Sequence, residues 1–141
     1  MNDLTKACEL LKRGTYTCVV CRGEAVFTTD LRGVAPLLAW LDSGTDLVGA
    51  SAADKVIGQG AAFLYSLLGV KAVYGQTISR AALDTLRAQG IEARFDTLAE
   101  AIINRKGTGL CPIEAAVRGM TDPQEALQAI RRRLQEMRKE S

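Results

Sequence analysis

A basic, glycine-containing stretch in front of a cysteine is the part of this sequence best suited to chemistry. Arg105 and Lys106 precede Gly107-Thr108-Gly109, and Cys111 and Pro112 follow. Because proline fits the first turn of a helix, Pro112 predicts that Cys111 caps one. The free amides and the dipole at such a helix start favour a thiolate, so Cys111 is a candidate nucleophile. A small cysteine that only fills space at a helix start is the alternative interpretation.

The same stretch has the composition of an anion-binding loop. Glycines let the backbone turn so that successive amides point at a phosphate or a carboxylate, and the two basic residues add positive charge. A plain turn without a ligand is the alternative interpretation. The candidate ligand-binding residues of this region are Asn104, Arg105, Gly107, Thr108, Gly109 and Glu114.

A second candidate site lies at Asp54 and Lys55. Ser51 followed by Asp54 resembles a capping pair, which predicts a helix over residues 52–68 with both charged residues at its start. In a functional site there, Asp54 would accept or carry a proton and Lys55 would attract an anion. An ordinary capping acid beside a solvated base is the alternative interpretation.

Two glycines inside that predicted helix need an explanation. Gly58 and Gly60 would each cost about 1 kcal/mol relative to alanine within a helix. We therefore expect a neighbouring backbone or a ligand to approach closely, which makes Gly58 a further ligand-binding candidate. Neither these glycines nor the loop at residues 107–109 forms a standard nucleotide fingerprint.

The composition excludes several classes of function. The chain has 141 residues, no histidine and a formal net charge of +2. Without histidine the commonest general base and zinc ligand are missing, so we predict neither a metal nor another cofactor. The small net charge does not predict nucleic-acid binding, and a contact through Arg131-Arg132-Arg133 is a lesser alternative. The length of the chain fits one domain, so we expect a single domain over residues 1–141. The apolar runs are far shorter than the roughly 20 residues that cross a bilayer, so we expect a cytoplasmic protein without membrane contact.

Cys18 and Cys21 have the spacing of a metal-binding or redox pair. The two valines between them indicate a strand, and residues three apart on a strand point to opposite faces of the sheet. Joint chelation is therefore geometrically poor. Since the chain shows no export signal, we expect its cysteines to be reduced.

The hydrophobic periodicity alternates between strand and helix along the chain. Such alternation with short connections predicts an α/β fold with a parallel or mixed sheet covered by helices on both faces. An antiparallel hairpin is predicted at residues 16–28. The predicted helices are 3–13, 34–41, 52–68, 79–89, 97–104, one starting at Pro112, and 122–139; the predicted strands are 16–21, 24–28, 47–50, 71–76 and 91–95.

Three motifs together resemble the small bacterial domain-of-unknown-function family DUF1893. They are Ala53-Asp54-Lys55-Val56-Ile57-Gly58, Gly69-Val70-Lys71-Ala72-Val73-Tyr74 and Ile103-Asn104-Arg105-x-Gly107-x-Gly109-x-Cys111-Pro112-x-Glu114. The resemblance extends over nearly the whole chain to about Val117. It implies a cytidine deaminase-like three-layer α/β/α fold with a mixed sheet, and it implies that these motifs line the pocket where true deaminases hold zinc.

The sequence departs from the zinc-dependent deaminases at their metal ligands. Ala52-Ala53-Asp54 would stand where His-Ala-Glu carries a ligand and the proton-shuttling glutamate. Cys111-Pro112-Ile113-Glu114 inverts the Pro-Cys order and lacks a second cysteine. Because a catalytic zinc needs three protein ligands, zinc-activated deamination is not expected.

Two functional hypotheses remain. In the first, the chain is a zinc-free deaminase-like domain that binds a small anionic or nucleotide-like ligand between helix starts at Asp54 and Cys111. Lys55 and Arg105 would be its charge partners, and Cys111 would be the nucleophile of any covalent step. In the second, it is a non-catalytic protein-interaction module on a degenerate deaminase fold. The sequence leaves open whether the chain forms a homo-oligomer.

Overall fold

A mixed sheet of five strands forms the centre of the protein. The computed structural model describes residues 2–104 and 106–140. The strands are β1 (Cys18–Arg22), β2 (Ala25–Thr29), β3 (Ser51–Ile57), β4 (Ala72–Ser79) and β5 (Glu92–Ala99). They lie in the order β2-β1-β3-β4-β5, with β1 antiparallel to both of its neighbours and β3, β4 and β5 parallel.

Helices cover both faces of this sheet. One face carries α1 (Asp3–Arg13), and the opposite face carries α2 (Ala35–Asp42), α3 (Gln59–Leu68), α4 (Arg80–Ala88), α5 (Pro112–Val117) and α6 (Pro123–Glu140). The prediction of a three-layer α/β/α fold with a mixed sheet is therefore confirmed. The two layers of core follow from the strand pleat, which sends alternate side chains to opposite faces. Ala52 packs under the helices of the larger layer, whereas Ala53 packs under α1.

Several local predictions are confirmed at the helix ends. The first helix has the predicted bounds of residues 3–13. Ser79 caps α4, where its hydroxyl accepts a hydrogen bond from the amide of Ala82 at 3.1 Å. Helix α5 begins at Pro112 with Cys111 at its cap, as the proline predicts.

The prediction of a strand at 47–50 followed by a helix at 52–68 is wrong. Residues Ser51–Ile57 form strand β3, and the helix begins only at Gln59. Ala52 and Ala53 favour helix intrinsically, but both are fully buried between the two helix layers, and β3 pairs with a strand on each side. Sheet pairing therefore overrides local propensity, and Asp54 lies on a strand instead of at a helix start.

The predicted helix at residues 97–104 is also wrong. Strand β5 continues to Ala99, because β4 is long enough to pair with it as far as Ser79 opposite Ala99. After the strand, Ile103 forms an isolated bridge with Leu110 instead of a helical turn. The spacing of apolar residues in this segment arises from strand and loop packing, which a short window does not distinguish from a helix.

Candidate functional site

A cavity of about 390 Å³ opens beside β3 and the starts of α3 and α5. Asp54 and Cys111, which belong to separate sequence motifs, both line it. Lys55, Gly58 and Glu114 line it as well. The structure therefore brings together five of the ten predicted site residues, although Asp54 and Lys55 lie in the middle of strand β3 and not at a helix start.

The position of Asp54 follows from the pairing of β1 with β3. These strands are antiparallel, and their register places Cys18 directly opposite Asp54. Both side chains line the cavity. Tyr65 of α3 lies above this pair and is fully buried. A thiol, a carboxyl and a phenol thus converge from three elements.

The three side chains form a hydrogen-bonded chain. The Tyr65 hydroxyl donates to Oδ2 of Asp54 at 2.7 Å, and Sγ of Cys18 lies 3.2 Å from the same hydroxyl oxygen. Because the phenolic hydrogen is directed at Asp54, the Cys18 thiol is the donor in the second contact. Cys18 therefore donates a hydrogen bond to Tyr65, and Tyr65 donates one to Asp54.

Burial determines the pKa values of these three side chains. Desolvation raises the pKa of Asp54 from 3.8 to about 7, against the lowering effect of the hydrogen bonds from Tyr65 and from the amides of Val56 and Lys55. Desolvation, and after it the negative charge of Asp54, also raises the pKa of Tyr65 and of Cys18. At neutral pH the thiol and the phenol are therefore uncharged, whereas Asp54 is able to accept or release a proton.

Glu114 joins α5 to the first turn of α3. Its Oε1 accepts a hydrogen bond from the amide of Gln59 at 2.8 Å, and its Oε2 accepts one from the amide of Gly60 at 3.0 Å. The carboxylate thus satisfies two free amides at a helix start, where the dipole favours negative charge. Glu114 is buried and lies between the cavity and a second one of about 350 Å³.

This contact explains the two glycines of the motif. A Cβ at Gly58 would lie 2.5 Å from Oε1 of Glu114, and a Cβ at Gly60 would lie 2.7 Å from Cγ2 of Ile113. Both distances are too short for any side chain to fit without a shift. The sequence predicted a close backbone or ligand at these glycines, whereas the atoms that approach them are side chains of α5.

The glycine loop does not reach the cavity. The amide of Gly107 donates to the carbonyl of Asn104 at 3.0 Å, and the amide of Thr108 donates to Oδ1 of Asn104 at 3.1 Å. Asn104 in turn donates from Nδ2 to the Thr108 hydroxyl. Neither these residues nor Gly109 line either cavity. Arg105 lies outside the described residues, and an anion site in this loop stays a prediction.

The family model for DUF1893 matches residues 6–134, nearly the whole chain. The chain belongs to the DUF1893 family. The family is described as a domain of unknown function. A search of curated proteins gave no significant match.

The solved structure of a DUF1893 protein, TM1506 from Thermotoga maritima, is similar over 96% of this chain and 90% of that one. The TM-score is 0.83 at 23% identity, so the two proteins share a fold. Two weaker structural neighbours are deaminases. The dCMP deaminase of cyanophage S-TIM5 in apo form matches with a TM-score of 0.45 and 14% identity, covering 66% of this chain and 93% of that chain. The second is a diaminohydroxyphosphoribosylaminopyrimidine deaminase/5-amino-6-(5-phosphoribosylamino)uracil reductase of Thermotoga maritima. It matches with a TM-score of 0.44 and 17% identity, covering 82% of this chain and 40% of that chain.

Two cations flank the cavity of this DUF1893 protein. Lys55 and Arg32 both line it and are both exposed. Within the described part of the chain, neither forms an ion pair with a carboxylate. Their positive charge is therefore available to an anionic group at the mouth of the cavity.

Three residues of this site were not predicted from the sequence. Cys18 was considered only as half of a metal pair with Cys21, and its position in a strand with opposed side chains is confirmed. Tyr65 gave a usable signal, because a hydroxyl inside an apolar helix needs a buried partner. Arg32 gave none, since it lies in a loop whose path the sequence does not define.

The described residues form neither a metal-binding cluster nor a membrane-spanning helix. Among residues 2–104 and 106–140, no group of three or more Cys, Asp or Glu side chains is arranged to hold a metal ion. No helix within those residues is long and apolar enough to span a bilayer.

Proposed function

We propose that this DUF1893 protein binds a small anionic or nucleotide-like molecule in the cavity beside β3, and that Asp54 exchanges a proton with it. The observation that carries the proposal is the Asp54 carboxyl, whose pKa is about 7 and which lies in the cavity wall. Titratable groups with such shifts, placed in a cleft, are characteristic of functional sites.

The lining of the cavity favours this class of ligand. A volume of about 390 Å³ is within the range of small-molecule sites. Apolar side chains, among them Val34, Ala61 and Ile113, form part of the wall and would pack against a planar ring. Lys55 and Arg32 would bind a phosphate or carboxylate at the mouth.

Cys111 is the nucleophile in the covalent form of this proposal. It lines the same cavity as Asp54 and caps α5. In that step the Cys111 sulfur forms a bond to the carbon of a C=N double bond in the ligand. The π electron pair of that bond moves to the nitrogen, and the thiol proton passes through ionised Asp54 to the same nitrogen. The proposal assigns no role to zinc.

The binding claim is tested by calorimetric titration with the four ribonucleoside monophosphates and with inorganic phosphate. We expect Lys55→Ala and Arg32→Ala each to weaken binding about tenfold, because each removes one charged contact. The matched control is Lys106→Ala, which removes a lysine of the glycine loop that does not line the cavity. Loss of affinity in the control with none in the two cavity variants would place the anion in the loop and contradict the proposal.

The same experiment addresses the alternative of a non-catalytic interaction module. Such a module predicts that none of these compounds binds to the parent protein. Native mass spectrometry of gently isolated protein would then show an empty cavity and an unmodified Cys111.

A further inference from the structure

The outer edge of β5 is a free strand edge. The strand has eight residues and pairs on one side with β4, while no strand within the described residues pairs with its other side. The Glu92 amide donates to the carbonyl of Lys71 at 3.1 Å, towards β4. Because backbone groups alternate along a strand, those of Ala93 and Phe95 point outward.

The side chains of this edge are uncovered on both faces of the sheet. Residues 94–97 are all exposed, and Phe95 has 36% of its surface accessible. Long exposed edges with an apolar residue are templates for pairing with another strand. The pattern therefore indicates that a strand from another chain covers this edge.

We propose that the missing strand is β5 of a second copy, paired antiparallel about a two-fold axis at Phe95. In this register Phe95 lies opposite the partner's Phe95, and the outward backbone groups of the two residues form a hydrogen-bonded pair. An axis at Phe95 also overlaps nearly the full strand, since Glu92 then lies opposite Leu98. The result is a continuous ten-stranded sheet with closed two-fold symmetry.

Opposite charges also face each other in this register. Arg94 lies opposite the partner's Asp96, and Asp96 lies opposite the partner's Arg94. Both side chains belong to the α1 face, because Arg94 is in register with Tyr74 and Asp96 accepts a hydrogen bond from the Tyr74 hydroxyl. The two residues form a pair without backbone hydrogen bonds, in which side chains are closest and opposite charges stabilise pairing. An axis at Ala93 would place Arg94 opposite the partner's Glu92, but it would overlap only residues 92–94 of the two strands and leave Asp96 opposite Gly90, outside β5.

The test is a charge exchange followed by analytical ultracentrifugation of the full chain. With Arg94→Asp, an aspartate faces the partner's Asp96 at both symmetry-related positions of the dimer. With Asp96→Arg, an arginine faces the partner's Arg94 at the same two positions. We expect each single variant to dimerise at least about tenfold more weakly than the parent protein. An equimolar mixture of the two variants restores both ion pairs, and so does the double variant Arg94→Asp, Asp96→Arg. Both samples are expected to dimerise again.

Hydrogen exchange gives a second readout that does not depend on the variants. The outward amide of Phe95 is expected to exchange more slowly as protein concentration rises, whereas the inward amide of Arg94 is expected to be protected at every concentration. Val26→Lys on the edge strand β2 is the matched control and should leave dimerisation unchanged. A monomeric parent protein at every attainable concentration would overturn the proposal. It would equally be overturned by a dimer that both single variants leave intact, which would indicate another interface.

Discussion

Asp54 has its unusual acidity because three elements surround its carboxyl. Strand β3 carries it, β1 places Cys18 opposite it, and Tyr65 of α3 donates a hydrogen bond to it. The desolvation that accompanies this position outweighs the hydrogen bonds and raises the pKa to about 7. A strand residue thus acquires the acidity of a general acid or base without any histidine.

The ionisation of Asp54 is predicted to make stability depend on pH. Its folded-state pKa is raised, so the folded protein binds the proton more tightly than the unfolded chain does, and stability is lost as pH rises from 3.8 through about 7. The shift corresponds to at most about 4 kcal/mol, which partial exposure reduces to about 2 kcal/mol. Asp54→Asn removes the ionisation and should therefore be more stable than the parent protein above neutral pH by about that amount. Urea unfolding across this pH range measures the difference, and parallel curves for both proteins would contradict the assignment.

The four cysteines are predicted to differ in reactivity. Cys18 and Cys21 are buried, whereas Cys8 and Cys111 are partly exposed on opposite sides of the sheet. Iodoacetamide should therefore modify Cys8 and Cys111 alone, as peptide mass spectrometry would show. A ribonucleoside monophosphate that binds the cavity should slow the reaction at Cys111 but leave Cys8 unchanged. Equal protection of both cysteines would place the ligand elsewhere.

The start of α3 depends on its contact with α5. Glu114 caps the helix through two amides, and its carboxylate occupies the space that a side chain at Gly58 would need. The glycine and the glutamate therefore form one unit, in which neither residue is replaceable alone. This unit also fixes the wall of the cavity that carries Cys111.

Gly58→Ala is predicted to lower the free energy of unfolding by about 1–3 kcal/mol, because its Cβ would overlap the Glu114 carboxylate. The control is Gly109→Ala, whose Cβ would meet no atom within 4 Å. That control should change stability by less than about 0.5 kcal/mol. Thermal unfolding of both variants gives the comparison, and equal effects would show that the overlap is relieved without cost.

The sequence predicted these elements unevenly, for physical reasons. Helices with one apolar stripe, such as α1, and helices with strong caps, such as α4, were predicted because their signals are local. Strand β3 was not predicted, because Ala52 and Ala53 favour a helix by local propensity. Their packing between the two helix layers is a property of the fold and gives no local signal. For the same reason Ala52-Ala53-Asp54 does not stand at a helix start, where a comparison with the deaminase motif would place it. Residues of both predicted motifs line one cavity, while the element that carries Asp54 was predicted wrongly.

The whole molecule places its candidate site on the side of the sheet with five helices. That layer includes the last helix, whose Ile130 is fully buried against the rest of the core. The C-terminal helix α6 is therefore part of the packed core, where it contacts α3 and α5. Among residues 2–104 and 106–140, the other layer contains α1 alone, and β5 has no strand on its outer side.

Ile130→Ala is predicted to destabilise the whole protein by about 2–5 kcal/mol, because it leaves a cavity where α6 packs on the core. Gln135→Ala, on the exposed face of the same helix, should change stability by less than about 0.5 kcal/mol. Guanidinium unfolding of the two variants checks the difference. A near-zero effect of Ile130→Ala would mean that α6 is not part of the cooperative core.

The central claim is that a carboxyl in the cavity ionises near neutral pH. An NMR titration of the Asp54 side-chain carboxyl carbon measures this directly in selectively labelled protein. We predict a midpoint of about 7 for the parent protein and a higher midpoint for Tyr65→Phe, which loses the hydrogen bond that favours the ionised form. A midpoint near the usual aspartate value of 3.8 would contradict the account.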